Sequence, residues 1–267
     1  RSTPKPSSAA SDVYKRQVSH LDCDGICASS IMIKALNNEN MRYSISIVQQ
    51  ITKKLLYELA DESYSYYVFT DLGSGSVSSI SKILKDKKVF VLDHHEPESS
   101  SYENIYHLNP HIFGIDGSRE ISGAGVVYLF ARCLNKENED MAHIAVIGAI
   151  GDVQENGGFL KLNNEILEHA KKNKKIKVTK GLRIFGSQTR PLHKVLEYST
   201  DPFIPGVTGS ESGAIQFLQQ IGINPKHGSE WKRFVHLSED EKKKLASAII
   251  MKRLGEENPE DIFGNVY

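Results

Sequence analysis

Two short apolar runs that each end on a carboxylate restrict the fold of this chain more than any other feature of its sequence. Tyr66-Tyr-Val-Phe-Thr70 is aromatic and β-branched, runs into Asp71, and is broken by Gly73-Ser-Gly-Ser76. Lys88-Val-Phe-Val-Leu92 repeats the arrangement, delivers Asp93-His94-His95, and is stopped by Glu96-Pro97. Helical patterns surround them: Ile26 to Leu36, Thr52 to Leu59, Val77 to Leu84, Gly123 to Leu134 with Ser122 as its cap, and Met141 to Ile150 leading to Gly151-Asp152. Tyr43 to Val48 alternates as a further strand. Strands that alternate with helices predict an α/β fold, a parallel sheet with helices on both faces, and ligands in such sheets bind beyond the carboxyl ends of the strands. Past Asp152, Asn164 to Lys171 and Glu239 to Leu254 read as helices, the latter within a C-terminal helical extension.

A chain of 267 residues buries one principal core plus an appendage. Residues 1–17 are Ser-, Pro- and Ala-rich without a signal sequence's apolar stretch, and are set aside as a non-native or disordered tail. This leaves only Val18-Ser19 for a strand ahead of the first helix. The expected domains are 18–190, carrying the chemistry, and 191–267, a linker and helical extension. The 33 basic and 33 acidic residues cancel, so a polyanion must be bound by a local site rather than by net charge. Cys23, Cys27 and Cys133 have no metal-type spacing and suit reduced thiols, which points to a cytoplasmic location. No apolar run has the ~18 to 20 residues that span a bilayer, so no membrane association is expected.

His20, Asp22, Asp24, Asp71, His94 and Asp152 all fall at ends of predicted elements. Four carboxylates that converge cannot stay ionised without cations, because like charges and desolvation raise one another's pKa. Oxygen ligands mixed with imidazole suit Mn²⁺ or Mg²⁺, with zinc a weaker fit, and two such ions activate water for attack at phosphorus. Asp22-Cys-Asp24-Gly25 also occurs in calcium loops, but Met32 and Ile33 fall where such a loop requires glutamate.

The four motifs in this order resemble the DHH phosphoesterase family, named for its Asp-His-His motif. His20-Leu-Asp22-Cys-Asp24-Gly25 is similar to its first motif, Asp71 after Phe69-Thr70 to the second, Asp93-His94-His95 to the third, and Gly148-Ala-Ile-Gly-Asp152 to the fourth. The resemblance implies that His20, Asp22, Asp24, Asp71, His94 and Asp152 hold two Mn²⁺ ions, with Mg²⁺ as the alternative, and that Asp71 bridges them. It makes Asp22, Asp24, Asp71, His94, His95 and Asp152 the catalytic set, His95 a contact to the scissile phosphate, and Asp93 an orienting partner of the histidines. Gln188-Thr-Arg190-Pro-Leu-His193 and Asp201-Pro-Phe-Ile-Pro-Gly206 resemble the archaeal RecJ-like branch, which includes the GINS-associated nuclease. Members of that branch continue into a DHHA1 substrate-binding domain, and this chain ends at Tyr267 without its signature, so an incomplete gene model is expected.

What the resemblance implies is an exonuclease acting on single-stranded DNA or RNA, with GINS-type replication proteins as candidate partners. A small-substrate phosphatase or phosphodiesterase, acting on short oligonucleotides, cyclic dinucleotides, bisphosphates or pyrophosphate, is the rival hydrolase. A replisome scaffold without activity is the rival outside hydrolases. Arg190 and His193 read either as phosphate contacts or as structural ion-pair partners. Gly73-Ser-Gly-Ser76 reads as a backbone cradle for phosphate or as a plain turn, and Trp231 with Phe234 as core aromatics at helical spacing.

Overall fold

The computed structural model describes residues 14–184, 186–187 and 189–267. The stretch 1–13 of the expected tail, and Gln188 of the segment that resembles the RecJ-like branch, lie outside the described residues. The chain forms two compact units that divide between Lys177 and Val178.

In the first unit β1 (Lys15–His20) leads into α1 (Cys23–Asn38), followed by β2 (Tyr43–Val48), α2 (Lys53–Asp61), β3 (Tyr66–Thr70), α3 (Val77–Ile83), β4 (Lys88–Leu92) and β5 (Ile105–Leu108). Helices α4 (Gly123–Leu134), α5 (Ala142–Gly151) and α6 (Lys161–Lys172) complete it. The strands form one parallel sheet in the order β2-β1-β3-β4-β5. Alternate residues face opposite sides. Val18, Tyr67, Phe69, Val89 and Val91 share a core with Leu56 and Leu59 of α2 and Ile80 of α3. On β4 the intervening Phe90 stacks on Tyr106 at 4.8 Å and lies 6.3 Å from Phe130 of α4, and α4 packs with α1 and α5. The strand order reverses between β1 and β3, and the carboxyl ends of strands at such a switch point open a crevice.

The structure corrects the expected start of the fold. Lys15, Arg16 and Gln17, assigned to a tail by their composition, are strand residues paired with Tyr43 to Ile45 on one side and Tyr66 to Val68 on the other. Arg16 and Gln17 are buried, and each finds a distant partner: Arg16 Nε lies 2.7 Å from Glu62 Oε2, and Gln17 Nε2 donates to Thr70 Oγ1 at 3.3 Å. Partners of this kind offset part of the cost of burying a polar side chain, and composition cannot reveal them.

The second unit, Val178–Tyr267, has its own core rather than being a linker with a helical extension. Strand β6 (Thr179–Leu182) pairs antiparallel with β9 (Phe263–Val266), which ties the residues before 190 to the C-terminal unit and moves the boundary from the expected position to 177–178. Between them α7 (Leu192–Glu197), α8 (Glu211–Gln220), the hairpin β7 (Lys226–His227) and β8 (Glu230–Trp231), and α9 (Glu239–Lys252) bury Leu196, Phe217, Leu218 and Leu245 together. Phe234 packs against that core, whereas Trp231 stands exposed on the hairpin, 4.1 Å from the ring of His193. Among the described residues, no helix is long and apolar enough to cross a membrane.

Candidate metal centre

The carboxyl ends of β1, β3 and β4 deliver His20, Asp71 and Asp93 to one edge of the sheet. Asp71 is buried to 1% and sits at φ 60°, the left-handed region that few residues other than glycine adopt. Its N–H donates to Leu92 O at 2.9 Å, yet among the described residues neither carboxylate oxygen finds a hydrogen-bond donor. The two oxygens face different neighbours. Oδ2 lies 3.7 Å from His20 Nδ1, and Oδ1 lies 3.3 Å from His94 Nε2. On the first side, donor atoms of His20, Asp22 and Asp71 gather within 4.8 Å of one another; on the second, those of Asp24, His94 and Asp152 do the same.

Local structure holds each donor. Asp22 caps α1, its Oδ1 accepting from Gly25 N at 2.9 Å while Oδ2 lies 2.9 Å from His20 Nδ1. Gly25 is required here because a Cβ would run into the carbonyl oxygen of His20. Asp24, in the first turn of α1, accepts from the N–H groups of Gly123 (2.6 Å) and Ala124 (3.0 Å) at the start of α4, a helix end that favours an anion. His94 Nδ1 donates to Gly117 O at 2.7 Å, which leaves Nε2 turned to the carboxylates. Asp152 ends α5 and accepts from Gln154 Nε2 at 2.6 Å.

Asp93 can also reach an ion position with Asp71, His94 and His95, but its oxygens are already engaged. They accept from Ser74 N, His94 N and His95 N, and Oδ1 lies 2.7 Å from His95 Nδ1. This orients the half-exposed His95 ring and leaves Nε2 outside that bond. The Ser74 N–H of the glycine-serine loop thus serves Asp93 rather than standing open to a phosphate. Arg190 and His193 belong to the second unit. Arg190 is exposed with its guanidinium 5.9 Å from the Tyr198 ring centre, and His193 is buried with Nε2 3.4 Å from Glu211. Gln154 and the backbone of Gly123 escaped sequence reasoning, since a buried amide and a close-packed glycine leave no periodic signal.

Charge is strained in this pocket. Burial pushes the Asp71 carboxyl up to about 8 and also raises Asp24. Burial alone would lower His94, but the Asp71 and Asp24 carboxylates override it and raise the imidazole. Asp93 moves the other way: burial opposes its charge, yet the hydrogen bond with His95 and the surrounding N–H groups hold it well below the usual carboxylate range. The same bond raises His95.

The residues fit divalent ions. Two buried oxygens of one carboxylate lack any hydrogen-bond donor, and the donors around them are carboxylates and imidazoles without thiolate, which suits Mn²⁺ or Mg²⁺. A pH dependence follows with a definite sign. Asp71 and His94 both hold protons more tightly when folded than when unfolded, so their contribution to metal-free stability is progressively lost as pH rises through about 8 for Asp71. An ion replaces those protons. The melting temperature of metal-free protein should fall between pH 6 and 8.5, and the increase produced by Mn²⁺ should grow over the same interval; differential scanning calorimetry with and without Mn²⁺ reads both.

Fold and site together define an α/β protein with a carboxylate and histidine centre at the strand ends. Residues 18–151 match the family model described as DHH family, N-terminal domain, and the chain belongs to the DHH family. Residues 184–264 match the DHH-CID domain, in register with the second compact unit. An uncharacterised protein of Methanocaldococcus jannaschii is 36% identical over 245 residues, covering 90% of this chain and 54% of that protein. Among solved structures, CDC45 from Entamoeba histolytica has a TM-score of 0.69 at 16% identity, over 95% of this chain and 55% of the other. Exonuclease RecJ bound to manganese has a TM-score of 0.50 at 15% identity, over 92% and 58%. The chain thus spans about half the length of the relatives it matches.

Proposed function

We propose that the protein hydrolyses phosphodiester bonds in single-stranded DNA or RNA from an end, using two divalent ions, Mn²⁺ or Mg²⁺. One observation carries the reading: the buried Asp71 carboxylate has no hydrogen-bond donor and turns one oxygen to each of two donor clusters. His20 and Asp22 would hold one ion, Asp24, His94 and Asp152 the other, and Asp71 both. Such a pair supplies a nucleophilic hydroxide near neutral pH and neutralises charge on the phosphoryl oxygens.

The remaining work falls to the chain itself. Asp93 holds His95 by Nδ1 and favours its protonated form, so His95 Nε2–H is set to donate to a non-bridging oxygen of the scissile phosphate and stabilise its developing charge. The buried ends of β3 and β4 exclude water behind the donors, which strengthens every interaction with the phosphate. Membership of the DHH family and likeness in fold to a manganese-bound exonuclease support nucleic acid as substrate, and the resemblance of the Asp201 to Gly206 segment to the RecJ-like branch supports GINS-type replication proteins as partners. A scaffold without activity would have no use for a charged cluster whose burial costs stability without metal.

End-labelled single-stranded DNA and RNA, incubated with Mn²⁺ and the protein at 267 residues and at the length of its relatives, test this reading. Stepwise release of mononucleotides is expected. Two bound ions with no hydrolysis of either polymer, while short oligonucleotides or pyrophosphate are cleaved, would replace the nuclease by a small-substrate enzyme.

A further inference from the structure

Two residues beyond Asp152 lies a side chain that neither motif nor family comparison marks. Gln154 is buried to 5% just past the end of α5. Its Nε2 donates to Asp152 Oδ2 at 2.6 Å and to Gly117 O at 2.9 Å, with Ile121 O a distant third acceptor at 3.5 Å. Gly117 O is the same carbonyl that accepts from His94 Nδ1 at 2.7 Å. One amide nitrogen is therefore tied to two donors of a single cluster, directly to Asp152 and through a shared carbonyl to His94.

The amide could do this only in one orientation. Turned over, it would present Oε1 to a carboxylate oxygen and a carbonyl oxygen, two acceptors facing an acceptor. The opposite end is fixed by Asn163, a buried residue of α6, whose Nδ2 donates to Gln154 Oε1 at 2.6 Å. Asn163 is itself anchored, its backbone N–H donating to Glu120 O at 2.9 Å. A connected polar chain runs from α6 through Gln154 to Asp152 and His94; its links are short, and all but the part-buried one to Asp152 are buried, where an unmade hydrogen bond is costly.

We infer that Gln154 is a positioning residue for the Asp24, His94 and Asp152 ion position, that it fixes the direction of the Asp152 carboxylate and steadies the carbonyl that sets the His94 tautomer, and that Asn163 locks its amide. The inference rests on the reading of that cluster as an ion site. It does not require that nucleic acid be the substrate. Asp152 Oδ2 lies 3.9 Å from His94 Nε2, so the oxygen that Gln154 clamps is also the one facing the cluster. An oxygen held by a hydrogen bond on one side keeps a lone pair for an ion on the other. Among the described residues, the hydrogen bonds of Gln154 and Asn163 do not reach His20, Asp22 or Asp71, and the ion on that side should be unaffected.

Stepwise Mn²⁺ affinities, read from the electron paramagnetic resonance signal of the free ion during titration, test the inference on the whole protein. Gln154→Ala should weaken one of two Mn²⁺ ions by about 10- to 100-fold, the range typical of partners that orient metal ligands, and leave the other within about 3-fold. Asn163→Ala, which touches no donor, should weaken the same ion. The double variant should be no weaker than Gln154→Ala alone, because the lock has no purpose without the amide. Metal-free melting temperatures are measured alongside. If the variants melt earlier but bind both ions as the unaltered protein does, Gln154 is only a structural residue and the inference fails. Additive losses in the double variant would overturn the role given to Asn163. If Gln154→Ala does not fold, Asn163→Ala decides, with unchanged Mn²⁺ affinity counting against the chain of amides. An unaltered protein that binds two ions without cutting nucleic acid would refute the proposed function and leave this inference standing.

Discussion

Asp71→Asn should lower Mn²⁺-dependent hydrolysis by roughly 10³-fold or more, abolish the paired binding of two ions, and at the same time raise the melting temperature of the metal-free protein. The three effects have one cause. Asp71 is buried to 1% with two oxygens that accept nothing, so without ions its charge is uncompensated and it keeps a proton up to about pH 8. Asparagine has nearly the same shape and carries no charge, which removes a repulsion with Asp24. The stabilisation should grow from about pH 4, where an unfolded Asp ionises, to about pH 8, and level off above that. For a chain of this size about 2–4 °C accompanies each kcal/mol. A variant that loses activity while its metal-free form melts earlier at pH 8.5 would show that Asp71 is a structural carboxylate instead.

Gly123→Ala is the second large effect, and it separates site from fold. Gly123 opens α4 behind the Ser122 cap, where alanine is ordinarily the better helix former by about 1 kcal/mol. Here the added methyl would land on Asp71 Oδ1 and lie 2.8 Å from Asp71 Cβ and Cγ. The helix cannot retreat without giving up the bonds from Gly123 and Ala124 to Asp24. One methyl group thus forces out the carboxylate that faces both clusters or the one that the helix end holds. Hydrolysis should fall by about 10²-fold or more, as when a reacting geometry shifts by an ångström, with weaker binding of both ions. Circular dichroism should show the helices retained. Unchanged Mn²⁺ affinity in a folded Gly123→Ala protein would contradict the geometry described for Asp71.

The parts of this molecule that follow one-dimensional rules were readable from its sequence. Apolar runs marked β3 and β4, the Ser122 cap marked a helix start, and acids at strand ends marked the crevice. What escaped reading depends on partners far along the chain. Arg16 and Gln17 looked like tail residues because Glu62 and Thr70, which make their burial tolerable, are 46 and 53 residues away. Gln154 and Asn163 satisfy each other across the gap between α5 and α6, and nothing in their spacing distinguishes them from surface amides. The core of the second unit was missed for a related reason. Leu196, Phe217 and Leu245 lie on three short or moderate helices, each too weakly periodic to announce a core until all three are together. Strand β6, in turn, pairs with β9 more than 80 residues later.

If Asp71 stands between two ions, anomalous diffraction from crystals soaked in Mn²⁺ should show two manganese peaks about 3.5–4 Å apart, one on the side of His20 and Asp22 and the other on the side of Asp24, His94 and Asp152, with one Asp71 oxygen toward each. A single peak, or a pair that leaves Asp71 without a metal bond, would contradict it.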